Sequence, residues 1–287
     1  MSFRKVAVAS VFVLAPVRLA SAQDHQDRMA RSYDHIHFAV PDPRAAQDWY
    51  AQHLNGVLGE SPDRLTFGGM PWKGTPPLPV QLTWMKLNGT PKPVRGNPIL
   101  GLGFSYPDVD AKVKELRAAG VTIVTEPHDV PGVWREAVIE DPWGVRLELV
   151  QDPELIGFHH VALRAADPAA SLDWYAREFG GDRTKIKGKV DAVRYGNMYV
   201  VIRQGPDEPL EPGYGINHIG FAVNGIDASA VRLKADGVRF SLEPREKLNQ
   251  YGHRIAYVVG PSDVKIELVQ HITCILREGA GPSAGYQ

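Results

Sequence analysis

Histidine opens three short apolar runs of this sequence, and glutamate lies near the end of two others. The histidine runs are HIHFAV from His35, HVALRA from His160 and HIGFAV from His218. The other two, VRLELVQ and VKIELVQ, carry Glu148 and Glu267. Imidazole and carboxylate groups can bind a divalent metal ion or transfer protons. A single histidine in an apolar strand is more often a core residue, however. Whether these residues form a site therefore depends on the strands and helices that position them.

Those elements occur as an internal repeat. Residues 42–51, DPRAAQDWYA, recur as residues 167–176, DPAASLDWYA, with seven of ten positions identical. Aspartate followed by proline favours a helix start, because the carboxylate caps free amides and proline suits the first turn. Residues 116–121 and 233–238 form a second repeated pair, which indicates a helix closed by glycine and followed by a strand.

The periodicity predicts four units, each with one strand, one helix and then several strands. The units span 33–87, 99–152, 157–204 and 215–271. Two units make each sequence half, so the pattern predicts an α+β protein with tandem domains at 33–152 and 157–271.

This organisation resembles the vicinal oxygen chelate superfamily, which includes glyoxalase I, extradiol ring-cleaving dioxygenases and bleomycin resistance proteins. The resemblance rests on the strand-opening runs at His35, His160 and His218 and covers nearly all of the chain after the first 22 residues. It implies paired βαβββ modules, in which two units form a cup and metal ligands come from the first and last strands of each unit.

Residue by residue, the resemblance implies that His160, His218 and Glu267 are metal ligands. Two imidazoles and one carboxylate leave a divalent ion with net positive charge and about three open positions. Such a site suits a small substrate that chelates the ion through two adjacent oxygens. Fe(II) is the usual occupant when the chemistry uses O₂, whereas Zn or Mn would suit Lewis-acid proton shifts or additions.

The N-terminal domain is predicted to carry a degenerate site. It has His35 at the first-strand position and Glu148 at the last-strand position, but Gly101 matches His218. His37 lies two residues beyond His35 and therefore shares its strand face, so it could complete a second site.

Tyr257 and His253 are the candidate catalytic residues. Tyr257 lies ten residues before Glu267 and matches a tyrosine that contacts a substrate oxygen in extradiol enzymes; the alternative is a core tyrosine. His253 could act as an acid or base near neutral pH. No histidine lies between His160 and His218, where extradiol enzymes keep an acid–base histidine, and this departure counts against ring cleavage.

Three functions therefore stay open at this stage. The leading hypothesis is a metal-dependent enzyme acting on vicinal oxygens, with a lean to an extradiol-type dioxygenase. A glyoxalase-I-like lyase or isomerase is the close alternative. A metal-free binding protein of the bleomycin-resistance type is the third, although a pure binding protein has no need of the ligand set.

Composition and the termini complete the expectations. A net charge of -1 and a charged fraction of 23% give no basic surface for nucleic acid. Within residues 1–22, Arg4 and Lys5 precede an apolar run, and the segment ends in ASA. This pattern predicts a signal peptide and a secreted or periplasmic protein. No membrane partner is expected after the signal peptide is cleaved. Residues 276–287 are predicted to form a flexible tail. The oligomeric state is left open.

Overall fold

The protein is described here by a computed structural model. It describes residues 30–58, 64–68, 79–92, 96–196, 198–206, 213 and 215–271. The predicted signal peptide and C-terminal tail lie outside these residues, and both stay predictions. Within the described ranges, no helix combines the length and the apolar character that a membrane span needs.

Four units follow one another along the chain, each with the order strand, helix and three strands. The first unit comprises β1 (Ala30–Val40), α1 (Pro43–Leu54), β2 (Val57–Leu58), β3 (Arg64–Phe67) and β4 (Val80–Lys86). The second comprises β5 (Ile99–Ser105), α2 (Val109–Ala118), β6 (Thr122–Val130), β7 (Trp134–Glu140) and β8 (Arg146–Val150). The third comprises β9 (Gly157–Ala165), α3 (Pro168–Phe179), β10 (Asp182–Ile186), β11 (Val190–Tyr195) and β12 (Met198–Gln204). The fourth comprises β13 (Ile216–Val223), α4 (Ile226–Ala235), β14 (Phe240–Leu242), β15 (His253–Val259) and β16 (Lys265–His271). The predicted α+β fold of paired βαβββ modules is confirmed.

The predicted helix starts have the expected chemistry. The Asp42 carboxylate accepts hydrogen bonds from the first-turn amides of α1, and Asp167 accepts one from the backbone amide of Ala170 in α3. Proline follows each aspartate at the first helical position, where a missing amide hydrogen has no cost. The repeated DP pairs therefore set the start of both helices.

The units pair across the two sequence halves. The first sheet has the strand order β14-β15-β16-β13-β1-β4-β3-β2 and joins the fourth unit to the first. The second sheet has the order β10-β11-β12-β9-β5-β8-β7-β6 and joins the third unit to the second. The two central contacts are antiparallel, β1 with β13 and β5 with β9. One hydrophobic core contains residues of both sheets.

A bulge in β1 turns two consecutive residues toward one face of the first sheet. Tyr33 pairs with Phe221 and His35 with Gly220, so Asp34 is an extra residue between them. Tyr33 packs into the core, whereas Asp34 and His35 both line a cavity on the other face. The bulge therefore places a carboxylate directly beside His35.

Candidate metal centre

Four potential metal ligands meet on the cavity face of the first sheet: His35, His37, His218 and Glu267. One ligand atom from each lies within 4.8 Å of the others. His37 stands opposite His218 in the β1–β13 pair. Glu267 stands beside Gly220 in the β13–β16 pair, which brings the last strand of the fourth unit next to its first.

Three of these ligand atoms form a tight triangle. His35 Nε2 lies 3.3 Å from His218 Nε2, and Glu267 Oε2 lies 2.7 Å from His218 Nε2 and 3.3 Å from His35 Nε2. Ligands at right angles around an ion with bonds of about 2.1 Å would be about 3 Å apart. His37 Nε2 is buried and has no hydrogen-bond partner. The donor set and its spacing therefore fit one divalent ion.

Hydrogen bonds on the far side of two imidazoles fix their orientation. His35 Nδ1 donates to Asp34 Oδ1 over 2.8 Å, and His218 Nδ1 lies 2.8 Å from the side-chain amide of Asn217. In both rings the Nδ1 hydrogen bond leaves Nε2 facing the cluster. Metal-binding histidines commonly have a carboxylate or carbonyl oxygen at the second nitrogen, because that contact fixes the tautomer and strengthens the ligand.

The surroundings of the cluster favour the protonated form of one of its imidazoles, His35, over that of His218. Burial lowers the pKa of His35, but the hydrogen bonds and charges of Asp34 and Glu267 outweigh it and raise the pKa to about 9. Burial lowers the pKa of His218 to about 4. Burial opposes ionisation of Glu267, but hydrogen bonds from His218 and His35 hold the pKa of its carboxyl well below its usual range. At neutral pH His35 is therefore the protonated group.

We expect metal affinity to rise with pH, because an ion must displace the proton from His35. The pKa of His35 is about 9, so the apparent affinity for Zn(II) should increase about tenfold per pH unit between about pH 6 and pH 8 and level off above the pKa. Calorimetric titration in buffers of different ionisation enthalpy should detect one proton released per ion. A flat affinity over this range would contradict the assignment of the proton to His35.

His160 lies in the second sheet, which corrects its predicted grouping with His218 and Glu267. Its Nε2 is 3.1 Å from Glu148 Oε2. The physical reason is the strand pairing, because β9 pairs with β5 and not with β13. His35, expected in a separate degenerate site with Glu148, takes the place beside His218 and Glu267.

The second sheet lacks a complete ligand set, and a cation already neutralises its carboxylate. Gly101 occupies the position that His218 has in the first sheet, as the sequence comparison predicted. Arg203 donates to Glu148 Oε2 over 2.6 Å, so a guanidinium satisfies the carboxylate beside His160. Within the described ranges, the cluster around His218 is the one group of three or more such side chains close enough to share an ion.

Tyr257 and His253, the predicted catalytic residues, both line the cavity of the first sheet. Tyr257 Oη donates to Glu267 Oε2 over 3.2 Å. Burial and the charge of Glu267 raise the pKa of Tyr257, so its phenol stays a donor. The His253 ring lies 4.3 Å from that of His271, and burial lowers the pKa of His253. His253 is therefore neutral at pH 7 and can accept a proton.

Sequence reasoning missed a hydrogen-bonded pair that supports each site. His271 Nε2 donates to Asp34 Oδ2 over 2.8 Å in the first sheet. At the corresponding positions of the second sheet, His159 Nε2 lies 3.3 Å from Asp152 Oδ2. The aspartate and the histidine have exchanged strands between the two copies. Alignment of residues 265–271 with 146–152 would have exposed this exchange, since the spacing to the glutamate is the same.

The cavity itself is small. Its volume is about 230 Å³, below the range of about 300–1,000 Å³ that is typical of drug-sized ligand sites. Beyond the residues above, the lining includes Arg64, Gln81, Thr83 and Tyr251. Gln81 pairs with His35 in the β1–β4 ladder and so occupies the last-strand position of the first unit.

The chain belongs to the Glyoxalase/Bleomycin resistance protein/Dioxygenase superfamily. The model of that family matches residues 32–149 and 157–268, most of the chain and both sequence halves. Comparison with curated proteins found no significant match.

Two of the solved structures with a similar fold come from a plant and a bacterium. Glyoxalase I from Zea mays is 20% identical with a TM-score of 0.67, over 90% of this chain and 98% of that chain. A Bacillus subtilis protein provisionally assigned as a dioxygenase is 18% identical with a TM-score of 0.58, over 85% of this chain and 86% of that chain. At these identities the likeness shows the fold alone.

Proposed function

We propose that this protein is a divalent-metal-dependent enzyme that acts on a small substrate with two vicinal oxygens. The observation that carries the proposal is the triangle of His35 Nε2, His218 Nε2 and Glu267 Oε2 on the wall of a cavity. When bound, the ion would supply Lewis-acid polarisation of the chelating oxygens and, as Fe(II), access to O₂ chemistry.

Two residues of the chain have roles beside the ion. Tyr257 holds the Glu267 carboxylate through its phenol and presents the same hydroxyl to the cavity, where it can donate to a substrate oxygen as negative charge develops. His253 is neutral and its buried Nδ1 has no hydrogen-bond partner, so it can take a proton from a bound hydroxyl group.

The ligand set favours an extradiol-type dioxygenase over the alternatives. Two histidines and one carboxylate on one side of an ion are typical of Fe(II) oxygenases, because the open positions accommodate substrate and O₂. His37 favours the second candidate, a glyoxalase-like lyase or isomerase. As a fourth ligand its unpartnered Nε2 would leave fewer open positions, which suits Zn or Mn and chemistry without O₂.

Metal reconstitution tests the proposal. The protein is loaded anaerobically with Fe(II), Mn(II) or Zn(II) and supplied with catechol in air or with a hemithioacetal. Oxygen uptake that requires Fe(II) and catechol is the expected result. Oxygen-independent conversion of the hemithioacetal with Zn or Mn would favour the lyase or isomerase. Ligand binding with no metal bound and no turnover would contradict both and favour a metal-free binding protein.

Tyr257→Phe should lower turnover by about 10- to 100-fold while leaving at least one metal equivalent in place, because it removes one hydrogen bond to a ligand and keeps the ring. Turnover and metal content are measured on the same sample. Tyr199→Phe is the matched control, since Tyr199 pairs with His160 in the second sheet and should leave both quantities unchanged. Unaltered turnover in Tyr257→Phe would exclude its proposed role.

A further inference from the structure

Arg64 stands on the same sheet face as the metal cluster, two strands away from it. Arg64 pairs with Thr83 in the β3–β4 ladder, and Thr83 pairs with His37 in the β4–β1 ladder. Paired residues on neighbouring strands point to the same face, and two strand spacings amount to about 10 Å. Arg64 and His37 both line the cavity.

The guanidinium of Arg64 is partly buried and lacks a carboxylate partner within the described ranges. It lies over the Tyr251 ring, 4.7 Å from the centroid, and its Nε is buried without a hydrogen-bond acceptor. By contrast, the shielded guanidinium of Arg254 is neutralised by Asp227 and Glu246. A charge that is shielded from water is normally paired with an opposite charge. The unpaired guanidinium of Arg64 is therefore a candidate to bind an anion.

Among the described residues of the second sheet, the position of Arg64 has no arginine. The position that corresponds to Arg64 is Ala192, which pairs with Val201 as Arg64 pairs with Thr83. The second sheet instead has Arg194 two residues further along β11, paired with Tyr199 beside His160, and the Nε of Arg194 is also buried without a hydrogen-bond partner. What is specific to the sheet with the complete ligand set is therefore an arginine at the position of Arg64. The two carboxylates on the cavity wall, Asp34 and Glu267, are both held by histidines, so neither neutralises Arg64.

We propose that Arg64 binds a carboxylate of the substrate. This inference rests on the proposed function and makes it more specific: the substrate has vicinal oxygens at one end and a carboxylate at the other. A planar guanidinium matches a carboxylate with two parallel hydrogen bonds, and the Tyr251 ring holds its plane. The neighbouring His253 Nδ1, also buried without a partner, adds a second polar contact on the same wall.

Three probes separate the two ends of such a substrate. Protocatechuate carries a vicinal diol and a carboxylate on one ring, catechol carries the diol alone, and benzoate carries the carboxylate alone. Binding of each to the Zn(II)-loaded protein is measured by calorimetry, since Zn(II) does not oxidise the diols. We expect protocatechuate to bind about 10- to 100-fold more tightly than catechol, as one charge-assisted contact would supply.

Arg64→Gln should abolish this preference without changing the affinity for catechol or the Zn(II) content, and Arg64→Lys should retain part of it. The fold should tolerate both changes, because the hydrogen bond from Gln47 goes to the Arg64 backbone carbonyl. Arg44→Gln is the control, since Arg44 is an exposed arginine paired with Asp48 on α1. It should bind all three probes as the unmodified protein does.

The outcomes distinguish this inference from the proposed function. If catechol does not bind but benzoate binds in an Arg64-dependent manner, the vicinal-oxygen function fails and the carboxylate site stands. If the unmodified protein binds protocatechuate no better than catechol and fails to bind benzoate, the inference is overturned. It is overturned equally if Arg64→Gln keeps the full preference for protocatechuate.

Discussion

Replacing Glu267 by glutamine should lower the affinity of the protein for Zn(II) or Fe(II) by at least about 100-fold at neutral pH. Changes to residues that merely support a ligand typically cost 10- to 100-fold, and this change removes the only negatively charged ligand of the cluster while keeping its shape. A neutral amide oxygen is a weaker ligand for a divalent ion than a carboxylate. Metal content after dialysis at micromolar free metal measures the effect, and His218→Ala should match it.

His160→Ala is the control that distinguishes the two sheets. His160 was grouped with His218 and Glu267 from the sequence, but it contacts Glu148 in the second sheet. We therefore expect His160→Ala to retain the metal that Glu267→Gln loses. Loss of metal in His160→Ala with retention in His35→Ala would show that the ligands come from the third unit and would contradict the site described here.

Gly220→Ala should disrupt the metal centre without touching a ligand. A Cβ added at Gly220 would lie 2.3 Å from His35 Cε1, well inside the separation of about 3.5 Å at which two carbon atoms pack. The backbone of Gly220 is not left-handed, so alanine suits its conformation and the clash is the cost. The His35 ring must move, and we expect metal affinity to fall at least about tenfold, because ligand geometry sets affinity.

Gly103→Ala makes the same steric change in the second sheet. There the added Cβ would lie 2.0 Å from His160 Cε1. Both variants should lose thermal stability, but Gly220→Ala alone should lose metal. Unchanged metal affinity in both variants would mean that His35 is not a ligand, and an equal loss of metal in both would mean that the second sheet also binds an ion.

The two sheets show how one repeated unit can give two different sites. Both keep a first-strand histidine that lies over a glycine, Gly220 under His35 and Gly103 under His160. In the first sheet the opposing strand supplies His218, and the carboxylate of Glu267 has no arginine partner within the described ranges. In the second sheet Gly101 removes the ligand and Arg203 neutralises Glu148. A guanidinium thus stabilises a buried carboxylate where an ion would otherwise be needed.

The sequence alone determined the units, their helix starts and the family. These features depend on residues close together in the chain: the DP pair that caps a helix, the glycine that ends one, and the alternation that marks a strand. The register within one unit is equally local. The prediction that Gly101 matches His218 was therefore correct, and so was the placement of Glu267 beside the first strand of its own unit.

Only the tertiary structure decided which units share a sheet. The first strands of all four units are apolar and similar, and their pairing uses backbone hydrogen bonds that any of them can make. Nothing in the local pattern distinguishes a β13 that pairs with β9 from one that pairs with β1. The pairing of β13 with β1 places His35 and His37 beside His218. The pairing of β9 with β5 places His160 in the other sheet. The pairing of β13 with β1 also brings Arg64, far from Glu267 in sequence, into the same cavity, because β3 reaches the site through β4 and β1.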